Sequence, residues 1–139
     1  MEKIALQVGV KAFLKNPEGK YLILRRSTEK YPGIEGEWDI VGGRIVPGSP
    51  LMDNLRREVK EETGLEMTSE PVLIAAQDII RSEDRHVVRL SYVGTAEGEP
   101  VLDTSENVEY RWVPLEDLER MVNVDVYVRA ILDKGLLRG

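Results

Sequence analysis

The sequence predicts a single α/β domain, and two features of the chain carry this prediction. Strand-like and helix-like segments alternate along the 139 residues, without linkers, repeats or low-complexity tracts. Charged residues make up 32% of the chain and hydrophobic residues 42%, which is an ordinary globular balance. A chain of this length buries roughly 68% of its unfolded surface as one domain. We therefore expect residues 1–139 to form one compact unit.

The first half of the chain contains predicted strands and one long helix. Residues 4–15 alternate loosely between apolar and polar side chains and predict a strand, which the turn at 16–19 closes. Residues 20–25 are its expected hairpin partner. A short strand at 38–41 leads into a glycine loop that ends at Gly48, and a helix is predicted from about residue 50 to 63. Ser49 is the expected N-terminal cap of this helix and Gly64 its C-terminal cap.

The second half is predicted to add three strands and two helices. Two long strand-like runs, 72–81 and 86–96, are separated by a polar turn at 82–85. A shorter strand at 108–113 leads through Pro114 into a helical turn at 115–120. The last helix is predicted at about 125–134, because Val128, Ile131 and Leu132 recur at helical spacing.

Composition excludes several classes of function. The formal net charge of −6 argues against nonspecific binding to nucleic acid. The absence of cysteine excludes disulfides, thiolate metal sites and a cysteine nucleophile. The sequence shows neither a signal peptide nor an 18-residue apolar run, so we expect a cytoplasmic protein without membrane association.

Three glutamates with helical spacing are the strongest functional signal. Glu58, Glu61 and Glu62 are three and four residues apart, which places their side chains on one helix face. Like charges at this spacing destabilise an isolated helix, so their presence indicates a bound cation. Oxygen ligands of this kind suit Mg²⁺, with Mn²⁺ as the alternative. The competing interpretation is a solvated acidic face that Arg57 and Lys60 neutralise.

Residues 43–65 resemble the Nudix box, Gly-x5-Glu-x7-Arg-Glu-U-x-Glu-Glu-x-Gly-U, in which U is a bulky aliphatic residue. Eight of the nine specified positions match, namely Gly43, Arg57, Glu58, Val59, Glu61, Glu62, Gly64 and Leu65. The resemblance extends over nearly the whole chain and implies the Nudix α/β/α sandwich, a mixed sheet between helices. It also implies Mg²⁺-dependent hydrolysis of a diphosphate linkage in a nucleoside diphosphate that is linked to another moiety.

The chain departs from the family pattern at three positions. Ser49 stands where the family has the first box glutamate, which commonly pairs with the box arginine. Arg57 therefore needs another partner, and Glu61, one helical turn on, is the candidate. Val41 replaces a frequent proline, and Asn54 stands where a small residue is usual. These departures leave open a nucleotide-binding module with weak or lost catalysis.

The resemblance also implies a set of site residues. The metal ligands would be the carboxylates of Glu58, Glu61 and Glu62 and the backbone carbonyl of Gly42. Glu106, on a loop before the penultimate strand, is the candidate for a further metal ligand or for the catalytic base. Glu58 is the favoured base, and Arg57 completes the catalytic set.

Substrate contacts are less well specified by the sequence. Arg26 is the expected phosphate contact, with its neighbour Arg25 as competitor, since alternation turns the two to opposite faces. Asn123 is a candidate for contacting the base, with capping of the last helix as its alternative role. Markers of other subgroups are absent, so a (deoxy)nucleoside triphosphate or oxidised nucleotide is expected. An ADP-ribose or other nucleotide-sugar hydrolase is the alternative, and formation of a homodimer is left open.

Overall fold

The computed structural model describes residues 3–33 and 36–138, with residues 81 and 82 described through their backbone alone. The strands are β1 (Ala5–Lys15), β2 (Tyr21–Arg26), β3 (Trp38–Asp39), β4 (Val41–Arg44), β5 (Val72–Ser82), β6 (Arg85–Thr95) and β7 (Asn107–Val113). The helices are α1 (Leu51–Thr63), α2 (Leu115–Arg120) and α3 (Val126–Asp133). The predicted order of elements is thereby confirmed.

Within the described ranges, seven strands form one mixed sheet. Its main path runs β3-β2-β1-β6-β5, while β4 pairs with β1 and β7 pairs with β2. The pairing of β1 with β6 is parallel over the whole of both strands, and the other pairings are antiparallel. The parallel pair lies at the centre of the sheet, where both faces can be covered.

Two apolar clusters cover the two faces of the sheet, because side chains alternate along each strand. Val10, Ala12 and Leu14 of β1 belong to the cluster under α1, together with Leu55 and Val59 of the helix. On the other face lies a second cluster, which contains Phe13, Trp38, Ile40, Leu118, Val128 and Ile131 and thus joins β1 to α2 and α3. The α/β/α sandwich is therefore confirmed.

Some details at the element ends differ from the prediction. The expected strand at 38–41 is interrupted at Ile40 and forms two short strands, β3 and β4. Ser49 does not cap α1: the N-cap residue is Pro50, and no side chain caps the helix there. At its C-terminus the helix ends on Gly64 in the left-handed conformation (φ 71°), as predicted.

Candidate active site

Helix α1 places its acidic residues along one side of a cleft. Leu55 and Val59, spaced by four residues, are buried in the core cluster and fix the rotation of the helix against the sheet. Glu58 and Glu62 repeat at the same interval one position away, so they reach the edge of the packed face. The helix therefore presents carboxylates to the cleft because its apolar stripe is anchored beneath them.

The cleft has a volume of about 530 Å³ and collects most of the predicted site residues. Its lining includes Gly42, Gly43, Glu58, Glu61, Glu62, Glu106 and Arg26 from the predicted set. Lys11, Tyr31, Asp39, Arg44, Arg89 and Asn107 also line it and were not predicted. The structure thus brings together carboxylates from α1 and from the loop before β7.

The two glycines at the start of the box allow the backbone to approach these carboxylates. Gly42 has φ 144°, and a Cβ there would lie 2.0 Å from the carbonyl oxygen of Val10. A Cβ on Gly43 would lie 2.8 Å from the carboxylate of Glu58. The Gly42 N–H donates a hydrogen bond of 2.8 Å to Glu62 Oε2. Both positions therefore require glycine, the first for the fold and the second for the placement of Glu58.

Desolvation disfavours the ionised carboxylates of Glu58 and Glu62 on α1. Burial raises the pKa of the Glu62 carboxyl to about 7, against the attraction of Lys11 and the hydrogen bond from Gly42. Burial also raises the pKa of Glu58, and Arg57 only partly opposes this. A bound cation would relieve this penalty, since positive charge favours the ionised carboxylates.

Glu106 meets the cleft from the opposite side and is already paired. Its carboxylate accepts hydrogen bonds from Lys30 Nζ and from the hydroxyl of Tyr31. These bonds, that of Lys30 first, hold the pKa of Glu106 below its ordinary value. Burial and the bond to Glu106 raise the pKa of Tyr31 to about 12, so the tyrosine remains a donor at neutral pH.

A buried ionic network forms the floor of the cleft and was not predicted from the sequence. Asp39 accepts from Arg26 and from Arg89 (3.0 Å), and Lys11 Nζ lies 3.1 Å from it. Asp125 lies 3.3 Å from both arginines and caps α3 by accepting from the first backbone amides of that helix. Burial opposes the ionisation of Asp39, but Arg89, Lys11 and Arg26 outweigh it and hold its pKa well below the ordinary value.

The only signal for this network in the sequence is weak. Lys11, Asp39 and Arg89 each stand between two apolar residues, which indicates a buried pair or a site residue. Nothing in the spacing shows that they meet. Arg26 lines the cleft as expected, with its guanidinium divided between the two aspartates.

Two predicted substrate contacts are not part of the cleft lining. Arg25 forms an ion pair with Glu109 at 3.0 Å. Asn123 is exposed, its side chain accepts from the backbone N–H of Glu37, and Asp125 caps α3 in its place. The placement of Arg25 and Asn123 at the substrate therefore has no support in the structure.

Arg57 lies behind the carboxylates and has other partners than expected. It donates to Asn54 Oδ1 at 3.0 Å and to Glu58 Oε1 at 3.3 Å. The expected pairing with Glu61 is wrong, because Asn54 and Glu58 are the residues that the guanidinium reaches.

The residues of the cleft fit a hard divalent cation. In the described part of the chain, no three carboxylates converge into a ready-made chelating cluster. Mg²⁺ does not need one, because it keeps several waters and binds through one or two carboxylates together with substrate phosphates. Glu58 and Glu62, whose neutral forms burial favours, supply oxygen ligands of the required type.

Comparison with known proteins agrees with this geometry. A family model of the NUDIX domain matches residues 5–130. The nucleoside triphosphatase NudI of Escherichia coli strain K12 is 30% identical to this chain, and the alignment covers 86% of the chain and 91% of NudI.

Solved structures with the same fold are also found. The MutT protein from Methanosarcina mazei Go1 superimposes with a TM-score of 0.79 at 28% identity, over 96% of this chain and 94% of the other. A MutT NUDIX hydrolase from Burkholderia pseudomallei gives a TM-score of 0.76 at 23% identity, over 93% and 97% of the two chains, and shows the fold alone. The sequence, the fold and the family match together identify this chain as a member of the Nudix hydrolase family.

Proposed function

We propose that this protein is a Mg²⁺-dependent pyrophosphohydrolase of nucleoside triphosphates, including deoxy or oxidised nucleotides. The observation that carries the proposal is that the half-buried carboxylates of Glu58 and Glu62 and the cationic side chains below them line the same cleft. The similarity to NudI, named a nucleoside triphosphatase, supports this substrate class. Mn²⁺ is the alternative ion.

The proposed ligands of the ion are Glu58, Glu61 and Glu62, the backbone of Gly42 and, from the opposite side, Glu106. A divalent ion supplies neutralisation of the diphosphate oxygens and acidification of water. Carboxylates alone would repel an anionic substrate, so binding of cation and substrate is expected to be coupled. Arg26 is the proposed contact to a substrate phosphate, because its guanidinium lines the cleft.

The reaction is a hydrolysis, in which a water oxygen bonds to one phosphorus and the bridging P–O bond breaks. One proton leaves the water, and Glu58 is proposed to accept it. Glu106 is less suited to this role, because Lys30 and Tyr31 already donate to its carboxylate and lower its pKa. Glu58 has a raised pKa, and among the described residues its carboxylate accepts a hydrogen bond from Arg57.

A panel of nucleotides assayed with Mg²⁺ tests the proposal. Nucleoside triphosphates are expected to release pyrophosphate and a nucleoside monophosphate. Preferential cleavage of ADP-ribose or nucleotide sugars would instead place the chain in another subgroup. Nucleotide binding without turnover would favour the binding-module alternative. None of the described helices is long and apolar enough to span a membrane. As separate parts of the proposal, the activity is cytoplasmic and resides in a single domain formed by residues 1–139.

A further inference from the structure

The geometry points to Asn54 as the positioning residue that takes over the task of the missing box glutamate. In the Nudix box a glutamate stands at the position of Ser49, and it commonly ties the loop to the box arginine. In this chain Ser49 contributes its backbone carbonyl to the junction. The side chain that joins loop and arginine is that of Asn54, on the first turn of α1.

The contacts of Asn54 use the full hydrogen-bonding capacity of its amide. Oδ1 accepts from the backbone N–H of Val46 at 2.9 Å and from Arg57 Nη2 at 3.0 Å. Nδ2 donates to the carbonyl oxygens of Ser49 at 3.0 Å and Pro50 at 2.7 Å. An amide offers two donors and two acceptor lone pairs, so all four are used. The Ser49 and Pro50 carbonyls accept and the Val46 and Arg57 N–H groups donate, which also fixes the orientation of the amide.

Because Asn54 is buried, the loss of any of these hydrogen bonds is costly. Asn54 is 1% exposed, so a group that loses its partner there cannot be satisfied by bulk water. The residue ties both ends of the glycine loop, at Val46 and at Ser49–Pro50, to the guanidinium of Arg57. Arg57 in turn contacts the carboxylate of Glu58. Asn54 therefore acts on the reaction through Arg57 and the loop, without touching the substrate.

This arrangement explains how two departures from the family pattern belong together. Ser49 takes part in the junction through its backbone carbonyl. Asn54, where a small residue is usual, makes the link to the arginine from the helix side. An aspartate at position 54 would turn a carboxylate toward the two carbonyl oxygens. An apolar residue of similar size would leave the Val46 N–H and the Ser49 carbonyl without this partner, whereas the Pro50 carbonyl would keep the backbone N–H of Asn54. Asparagine is the residue type that matches the site.

The test compares Asn54→Ala with Thr63→Ala. Thr63 is a matched control because it is also buried on α1 and also makes two side-chain hydrogen bonds, at the far end of the helix. At saturating Mg²⁺, Asn54→Ala is expected to lower kcat about 10- to 100-fold while KM changes less than about threefold, as for a small misplacement of catalytic groups. Thr63→Ala is expected to keep kcat within about threefold. An equal loss of kcat in both variants would overturn the positioning role.

The second part of the test asks whether a glutamate at position 49 recovers the kcat that Asn54→Ala loses. Ser49→Glu in the Asn54→Ala background restores the partner that the family gives to the arginine, and it is expected to recover kcat at least about fivefold. In the unsubstituted background, Ser49→Glu is expected to preserve or modestly raise kcat. A folded double variant without recovery, or a large loss in Ser49→Glu alone, would show that the loop has diverged and that Asn54 does not replace the glutamate.

The turnover measurements rest on the proposed function, so a third arm is independent of activity. Hydrogen exchange of the Val46 amide is expected to speed up at least about tenfold in Asn54→Ala and to stay unchanged in Thr63→Ala. Unchanged exchange in Asn54→Ala contradicts the inference, whereas absence of turnover in the unsubstituted protein contradicts only the proposed function.

If Asn54→Ala does not fold, Asn54→Asp is the substitute variant, because its carboxylate keeps both acceptor bonds. A kcat of folded Asn54→Asp above about a tenth of the original supports the link to Arg57, and a lower value contradicts it.

Discussion

At the scale of single residues, burial decides how the carboxylates of the cleft behave. Glu58 and Glu62 have raised pKa values because they are desolvated, while Glu106 has a lowered pKa because Lys30 and Tyr31 donate to it. Three acidic side chains that look alike in the sequence therefore differ in their readiness to accept a proton. Spacing alone could not show this, because the difference depends on partners from distant segments.

The first prediction concerns the catalytic base. Glu58→Gln is expected to lower kcat at least about 100-fold at saturating Mg²⁺, with a residual rate that rises with pH as hydroxide replaces the base. Glu106→Gln is expected to lower kcat less than about tenfold and to keep the original rate–pH profile. Profiles measured between pH 6 and 10 decide between the two. Alkaline rescue in Glu106→Gln and not in Glu58→Gln would reverse the assignment.

The second prediction concerns the metal-free protein and Glu62. Its folded-state pKa is about 7, above the ordinary 4.5, so the folded protein holds this proton where the unfolded chain has lost it. The contribution of Glu62 to stability is therefore lost as pH rises from about 4.5 to 7, and each pKa unit is worth about 1.4 kcal/mol. Denaturant titrations of the metal-free protein, with a chelator present and at a series of pH values, should show this decline in the free energy of unfolding. Glu62→Gln should remove the decline. A decline of the same size in Glu62→Gln would assign it to another group.

At the scale of the elements, the glycine loop and α1 together determine the position of Glu58 and Glu62. The sequence predicted the order of strands and helices, since alternation and glycine placement are local signals. It also predicted that the box carboxylates lie on one face of the helix. The break at Ile40 was not predicted, because it depends on the separate pairing of β3 with β2 and of β4 with β1. The expected Ser49 cap was wrong, since Pro50 is the N-cap residue of α1.

The third prediction separates the two glycines of this loop. Gly42→Ala should prevent stable folding, since its Cβ would meet backbone atoms of Val10 and Lys11. Gly43→Ala should fold but lose at least about tenfold in kcat, because its Cβ would displace only the end of the Glu58 side chain. Gly94→Ala, whose Cβ would make ordinary contacts, is the control. Melting temperature and kcat are measured for each variant, and an active Gly42→Ala would contradict the geometry.

At the scale of the whole molecule, the ionic network under the cleft connects β1, β2, β3, β6 and α3. Lys11, Arg26 and Arg89 surround Asp39 and Asp125, so the network links the sheet to the helix on its second face. These residues come from the start, the middle and the end of the chain. The sequence could not reveal the network, because no short-range pattern relates positions up to about a hundred residues apart.

The fourth prediction follows from this network. Asp39→Asn should lower the free energy of unfolding by about 3–5 kcal/mol, since the buried Arg89 and the half-buried Lys11 and Arg26 lose a charged partner. Asp125→Asn should lower it less, because asparagine keeps an acceptor for the first amides of α3. The exposed Asp78→Asn, which loses only the contact to His86, serves as the control. Denaturant titration at pH 7 gives the three values, and equal effects of Asp39→Asn and Asp78→Asn would contradict the account.

The most direct test of the central claim is Mg²⁺-dependent turnover in Glu61→Gln and Glu62→Gln, with Mn²⁺ binding measured in the same samples. Both variants should fold like the unsubstituted protein, bind Mn²⁺ more weakly and lose at least about 100-fold in kcat. Glu66→Gln, an exposed residue whose nearest partner is Lys60 at 3.7 Å, should keep both properties. Full Mg²⁺-dependent activity in Glu61→Gln or Glu62→Gln would contradict the assignment of these carboxylates to the metal.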